Sequence, residues 1–355
     1  MAARTRRLAV PGTAGLALGA ALLFGASTPL VKVLVGEVPP VMLAGLLYLG
    51  SGIGLAVARG LRDGGWQPSG LAGSDWQWFG AAIAFGGIFG PVLLVHGLAR
   101  TGAATASLLL NLEAVLTAVL AWVAFREHTD RRMVTGMVLV VAGGLALAWR
   151  SSAAGGTGWT GPLAIAAACL CWAVDNNLTR KVSASDALFI ASAKGWVAGS
   201  ANLGLALALG NPLPGGLLLG ELMAVGLLGY GVSLVLFVRA LRELGTARTG
   251  AYFSTAPFMG ATLSVAILGE ATTPLFWVAT FLIGIGVWLH LTERHDHPHQ
   301  HEPLTHEHDH VHDAHHQHPH DFPWDGREPH RHVHTHSALW HAHPHYPDLH
   351  HRHPH

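Results

Sequence analysis

Long apolar stretches fill the first 290 positions, and short polar breaks separate them. A membrane-spanning helix needs about 20 mostly apolar residues, whereas an apolar helix in a soluble core runs to ~10–14. Ten stretches read as spans: 12–35, 41–58, 76–99, 103–125, 133–149, 159–179, 187–209, 217–238, 249–269 and 275–291. The linkers carry breakers, such as Glu37-Val38-Pro39-Pro40 and Gly210-Asn211-Pro212-Leu213-Pro214. The pattern predicts an all-α polytopic membrane protein of ten transmembrane helices, with no room for a soluble domain among them. Arg4, Arg6 and Arg7 precede the first stretch as they would in a signal peptide. The stretch is too long for that, and no small-x-small site follows, so it is read as the first span.

Composition sharpens this picture. Half the residues are hydrophobic and 12% are charged, against about 25% charged in a soluble domain. The formal net charge is zero, but it is unevenly built. Residues 1–290 hold 17 Lys/Arg and 11 Asp/Glu, residues 291–355 hold 4 and 10, and 23 of the 26 histidines lie in the second part. A basic apolar body is therefore joined to an acidic, His-rich tail. The two cysteines, Cys169 and Cys171, lie inside an apolar run and read as small buried thiols.

Basic residues set orientation, because they concentrate on the cytoplasmic side. With the N-terminus inside, that side receives Arg4, Arg6, Arg7, Arg59, Arg62, Arg126, Arg131, Arg132, Arg180, Lys181, Arg239, Arg242 and Arg248, and the outer side only Arg100 and Arg150. This predicts a multi-pass protein of the inner (cytoplasmic) membrane with both termini in the cytoplasm.

The two halves also resemble each other. The segment from Gly97-Leu98-Ala99-Arg100 to Glu127 lies on that from Ala240-Leu241-Arg242-Glu243 to Glu270, with Gly102 on Gly245 and Ala104 on Ala247. Phe24-Gly25-Ala26-Ser27 lies on Trp172-Ala173-Val174-Asp175, and Lys32 on Arg180. Five spans per half is an odd number, so the second copy enters the bilayer from the opposite side. Such an inverted repeat builds a midplane cavity that can open to either face. The expected organisation is a first half over 1–150, a second over 151–291 and a tail over 292–355.

Residues 103–113, Ala-Ala-Thr-Ala-Ser-Leu-Leu-Leu-Asn-Leu-Glu, through Phe125-Arg126-Glu127 resemble the fourth helix of EamA-type proteins of the drug/metabolite transporter superfamily. The stretch from Ala251 to Glu270, with Pro257 and Leu268-Gly269-Glu270, resembles their ninth. The resemblance covers roughly residues 12–291 and implies ten helices in two inverted halves. It also implies solute transport, often export, by alternating access. Ala114 stands where the family usually has proline in helix four, and Leu46-Leu47 where an arginine is common in helix two. The substrate therefore does not carry over.

A charged residue at bilayer depth costs at least about 2.5–3.5 kcal/mol on insertion scales and usually faces the bundle interior. Glu113 lies halfway along its span, Lys194 about a third along the seventh, and Lys32 and His96 toward outer ends. Asp175 lies toward an inner end beside Asn176 and Asn177. On the functional reading Glu113 binds a cation or carries a coupling proton, with Lys194 or Lys32 as counter-charge. On the other reading these are structural ion pairs or side chains snorkelling to the interface. Glu113 and Thr117 share a helix face, whereas Asn111 is about 200° from Glu113. Asn111 and Ser107 thus form a second polar face, toward a neighbouring helix. Trp76, Trp78, Trp159 and Trp277 read as interfacial anchors. Gly86, Gly87 and Gly90 read as a close helix contact.

From Thr292 onward the long apolar period stops. Histidine recurs at alternate positions: His295, His297, His299, His301; His306, His308, His310, His312; His315, His316, His318, His320; His330, His332, His334, His336. This composition predicts a disordered segment that binds Zn, Ni, Co or Cu at multiple loose sites, since neutral imidazole is their ligand. His306-Glu307-His308-Asp309-His310 matches the HExxH zinc-protease pattern, but that motif needs a helix. No nucleotide loop or nucleophile elbow appears, so an enzyme is not expected. No cofactor is required.

The sequence therefore reads as a secondary transporter, an exporter of a small solute, with a metal-binding tail. Two alternatives stay open: a transition-metal efflux transporter whose tail collects the ion, and a membrane-tethered metal buffer or sensor. The expected partners are the lipid bilayer and a small-molecule or metal-ion substrate, with a homodimer as one arrangement and no nucleic acid.

Overall fold

The computed structural model describes residues 11–65, 69, 71, 73, 75–125, 131–153, 158–179, 182, 186–244 and 246–292, and, in the tail, 296–301, 304–310, 330–336 and 339–344. The chain divides into two compact units, Met1–Thr292 and Glu293–His355. Among the described residues the first unit is helical throughout: α1 (Pro11–Leu34), α2 (Pro40–Asp63), α3 (Asp75–Ala82), α4 (Gly90–Leu98), α5 (Ala103–Leu109), α6 (Leu112–Phe125), α7 (Arg131–Ala153), α8 (Thr160–Thr179), α9 (Ala187–Ala208), α10 (Gly216–Gly226), α11 (Ser233–Leu244), α12 (Thr246–Phe253), α13 (Ala256–Leu268) and α14 (Pro274–Leu291). Wide π-helical turns join α3 to α4 (Ile83–Phe89) and α10 to α11 (Leu227–Val232).

Helix occurs in every apolar run read from the sequence, and among the described residues six helical stretches are long and apolar enough to cross a membrane. Their exteriors suit lipid rather than water. Leu61 is 81% exposed, Leu217 82% and Val123 70%, surface that would drive a soluble protein to aggregate. Trp76, Trp78, Trp159 and Trp277 are exposed at or near helix starts, as expected of anchors. Buried polar groups such as Ser107, Asn111, Asp175 and Asn202 face inward instead.

Local chemistry fixes the helix ends. Proline opens α2 and α14, where its missing N–H has no intrahelical partner to lose. Gly64 and Gly269, both at φ 64°, close α2 and α13 in the left-handed conformation that glycine adopts without strain. The Asp186 side chain caps α9 by accepting from the Leu188 N–H at 3.1 Å. Arg59 and Arg62 of α2 reach the same carboxylate at 2.9 and 2.6 Å, tying the two helices at one end. Burial by itself would raise the Asp186 pKa, but hydrogen bonds from Arg62, Arg59 and the Leu188 N–H hold it below the ordinary carboxylate value. Along their length α2 and α9 are in close backbone contact. A methyl group on Gly195 would lie 2.5 Å from the Gly52 Cα, so only small residues fit at this crossing.

Besides the two spans that carry π turns, two predicted spans break into separate α-helices. The fourth run breaks at Leu110-Asn111 into α5 and α6. There the Leu110 and Asn111 amides bond to Ser107 and Leu108 carbonyls three residues back, and Asn111 Nδ2 also donates to Leu108 O at 2.8 Å. An asparagine amide that competes for the backbone in this way unwinds a turn. The ninth run breaks between α12 and α13, where Thr255 Oγ1 donates to Tyr252 O at 2.6 Å and Pro257 supplies no N–H. The same succession, a helix with a π turn and then a broken helix, recurs at a constant spacing: α5 begins at 103 and α12 at 246, α6 ends at 125 and α13 at 268.

In the tail, β1 (Asp296–His301) pairs antiparallel with β4 (Leu339–Pro344), and β2 (Leu304–His310) with β3 (His330–His336). The register sets His297 against His343, His299 against His341, His306 against His334, His308 against His332 and His310 against His330. Alternation of histidine has the period of a strand, and ladder hydrogen bonds satisfy the peptide groups without an apolar core. His295, His312, His315, His316, His318 and His320 lie outside the described residues.

Candidate functional site

An open cavity of about 120 Å³ in the helical unit is lined by Phe24, Tyr48, Glu113, Trp172, Asn176 and Tyr230. They come from α1, α2, α6, α8 and the second π turn. Three precede residue 150 and three follow it, so the two parts of the chain meet here.

Glu113 is the one carboxylate in this lining. It is half-buried in the first turn of α6, just past the break that Asn111 makes. Asn176 Nδ2 donates to Glu113 Oε1 at 2.9 Å and reaches Thr117 Oγ1 at 3.4 Å. Glu113 and Thr117 thus share a face, as their spacing requires. Asn111 is on the other side, buried, and its amide is held by Leu108 O. Ser107 donates to Pro257 O on α13 at 2.9 Å, so this second polar face meets a neighbouring helix as expected.

Lys194 and Lys32, the candidate counter-charges for Glu113, each bond to other groups. Lys194 Nζ lies 2.6 and 2.7 Å from the two carboxylate oxygens of Asp175, and Thr179 Oγ1 donates to Asp175 Oδ1 at 2.8 Å. Both members of the pair are largely buried, and Lys194 is committed to Asp175 because that carboxylate offers it two oxygens. Lys32 lies elsewhere, donating to Leu98 O at 2.5 Å and Thr101 O at 2.9 Å. There it meets the carbonyl end of α4, where a cation is favoured. His96, half-buried in the last turn of α4, is not among the residues that line the cavity.

The π turn at Ile83–Phe89 shapes the cavity wall. It releases the Gly86 carbonyl, which accepts from both Tyr48 Oη and Trp172 Nε1 at 2.9 Å. Gly86 leaves room for the ion pair, since a methyl group on it would lie 1.9 Å from Asp175 Oδ2. Gly87 and Gly90 are equally close to Ala198 and Trp172, so the glycine triplet is a helix contact, as its spacing predicts. The rings continue as a wall: Tyr48 and Tyr230 centroids are 5.8 Å apart, Tyr230 and Phe24 6.0 Å, and Phe24 and Phe253 5.5 Å.

The sequence does not mark these aromatic residues as site residues. One signal was available: Phe24 and Trp172 occupy matching places in the internal alignment, and both face the cavity. Nothing local marks Tyr48 or Tyr230.

Glu270 was also missed. Its carboxylate accepts from the Ala103 and Ala104 amides at 2.6 and 2.9 Å, capping α5 from 166 residues away. Lys32 bonds to the backbone of the same segment, at Leu98 O and Thr101 O. Replacing Glu270 by alanine is expected to lower helix stability by about 1 kcal/mol, the value of an N-terminal cap. It should also raise the rate at which a thiol reagent labels a cysteine placed at Tyr48, compared with the same cysteine in the parent chain.

Among the described residues no three His, Cys, Asp or Glu side chains are grouped to hold a metal ion. His306–His310 lies in β2 rather than on a helix, so the HExxH pattern has no zinc-protease geometry. Cys169 is buried with its Sγ 3.7 Å from Leu109 O, and both cysteines are free.

Comparison with known proteins places this geometry. The profile of the EamA-like transporter family matches twice, over residues 13–149 and 159–292. A relative from Methanothermobacter thermautotrophicus, described as an uncharacterized transporter, is 27% identical over 76% of this chain and 83% of its own length. A solved crystal structure superposes with a TM-score of 0.56 at 21% identity, covering 79% of this chain and 96% of the other, and so shares the fold.

Proposed function

The chain belongs to the EamA-like transporter family, a membrane protein of small-solute transporters, and from that premise we propose an exporter that works by alternating access across the cytoplasmic membrane. The single observation that carries this reading is the cavity with its half-buried Glu113, built equally from the two parts of the chain. Ten helices form two inverted five-helix halves. The double profile match and the constant spacing of the π turns and broken helices support that arrangement. The two termini lie in the cytoplasm, where most arginines of the body gather. The end that carries Lys32 and Glu270 then faces outward, and rocking of the halves gives the solute access from either side.

The tail binds a divalent transition metal in this reading. The cross-strand histidine registers support it, because they bring imidazole-bearing residues opposite one another in pairs. Metal is a regulator or buffered ion here, and the solute cavity is separate in its chemistry.

The test is flux in proteoliposomes carrying either the full chain or a chain ending at Thr292, across a panel of amines, amino acids and carboxylates, with a pH dye reporting coupled protons. Saturable flux in both chains, and zinc binding by the full chain alone, is the expected result. Absence of flux for every member of the panel overturns the transport reading. If cells expressing the shortened chain become more sensitive to Ni, Co, Zn or Cu, metal efflux replaces it.

A further inference from the structure

We propose that the cavity is a recognition site for a small organic cation, a quaternary or protonated ammonium head group, held against aromatic rings and neutralised by Glu113. The inference rests on the reading of this cavity as the solute site, and narrows it to one chemical class.

Charge comes first. Glu113 offers a carboxylate whose hydrogen-bond partner is the neutral amide of Asn176. The nearby ammonium of Lys194 lies between the two oxygens of Asp175, so that pair adds no net charge. The lining itself contains no lysine, arginine or histidine. An anion entering here would meet Glu113 with nothing to offset it, and the carboxylate of a zwitterion would fare no better. A cation supplies what the lining lacks.

The rings supply the second argument. Four of the six lining side chains are aromatic: Phe24, Tyr48, Trp172 and Tyr230. Tyr48 and Trp172 both spend their polar hydrogen on Gly86 O, so they offer π surface to the cavity rather than a donor to a solute. A cation within about 6 Å of such rings is attracted by their quadrupoles, and desolvated aromatic cages bind quaternary ammonium groups on this basis. A divalent metal ion is a poor alternative, because it needs six or more hard oxygen ligands or several imidazoles. The lining offers one carboxylate and one amide.

Size agrees. About 120 Å³ is well below the ~300–1,000 Å³ of pockets for drug-sized ligands. It suits a head group carrying a few methyl substituents, with the remainder of the solute extending along the ring wall from Tyr230 to Phe253.

The experiment compares two molecules of the same shape. Full-length protein in nanodiscs is titrated with benzyltrimethylammonium, with neopentylbenzene, its uncharged carbon isostere, and with 3-phenylpropionate, while tryptophan fluorescence is followed; empty nanodiscs correct for partition into lipid. Saturable binding of the ammonium compound alone is expected, weakened about tenfold or more in Glu113→Gln, as for loss of a charged partner. In Tyr230→Leu a loss of about two- to tenfold is expected from removing one ring of the cage. Equal binding of the isostere and the cation, or unchanged cation affinity in both variants, overturns the inference. The comparison on the unmodified chain keeps the test decisive even if a variant fails to fold. Saturable flux of anionic or neutral solutes, with no binding of the cation, overturns this inference and leaves the transport reading intact. Absence of flux for any solute overturns that reading instead.

Discussion

Asp175→Asn should destabilise the protein by about 3–5 kcal/mol, the cost of leaving a buried charge without its partner. Lys194 Nζ is within 2.7 Å of both Asp175 oxygens, and the two side chains keep only 18% and 9% of their surface exposed. Asparagine retains the shape and the acceptor for Thr179 but strands the ammonium. Lys194→Met alone should cost as much for the opposite reason. The double variant, Asp175→Asn with Lys194→Met, removes both charges and should recover most of the loss, because a buried ion pair by itself adds little net stability. Thermal unfolding in detergent, read for the four proteins side by side, checks this. A double variant that melts lower than either single one would show that the pair is a source of stability rather than a mutual neutralisation.

Glu113→Gln should leave folding nearly intact and reduce solute flux. Glutamine keeps an oxygen for Asn176 Nδ2, now 2.9 Å from the carboxylate, so the wall between α6 and α8 is preserved. What disappears is the negative charge. A hydrogen bond or ion contact to a charged group is worth about 1.5–3 kcal/mol, which corresponds to roughly a ten- to hundredfold change in flux at low solute. The melting temperature should stay close to that of the parent. Flux per folded molecule in proteoliposomes is the readout, and undiminished flux would place the solute away from Glu113.

Together these predictions separate two carboxylates that look alike in the sequence. Asp175 and Glu113 each sit in an apolar helix, and each could have claimed Lys194. The structure places the lysine in hydrogen-bond contact with Asp175 rather than Glu113. Gly86 permits this arrangement from α3–α4, since any side chain there would collide with the Asp175 carboxylate.

Much of the fold was legible because a bilayer imposes a simple rule. Every backbone group at depth must be satisfied internally, so long apolar runs become helices. Helix appears in each apolar run, and the glycines at 86, 87 and 90 and the Ser107 face behave as their spacing suggests. The internal alignment also located the matching broken helices without showing that they break. Breaks depend on whether Asn111 and Thr255 turn their side chains onto the backbone, which the hydrophobic period does not record. The π turns were equally hidden, because Gly86 and Gly229 read like any small residues in an apolar run. In the tail the alternation of histidine reads as a ligand pattern along an extended chain, and the partner strand of each segment is not legible from it.

The sequence by itself determined the solvent of each segment: which stretches belong in lipid, which carry the charge, and that one carboxylate lies at mid-span. Those follow from transfer free energies that depend on residue type and run length alone. Only the tertiary structure decided the partners. Lys194 pairs with Asp175 nineteen residues earlier, Glu270 caps a helix 166 residues before it, and Tyr48 and Trp172 share the carbonyl of Gly86. Each choice is set by which groups reach within about 3 Å once the helices pack, and hydrogen bonds and ion contacts are too short-ranged for sequence spacing to specify across helices.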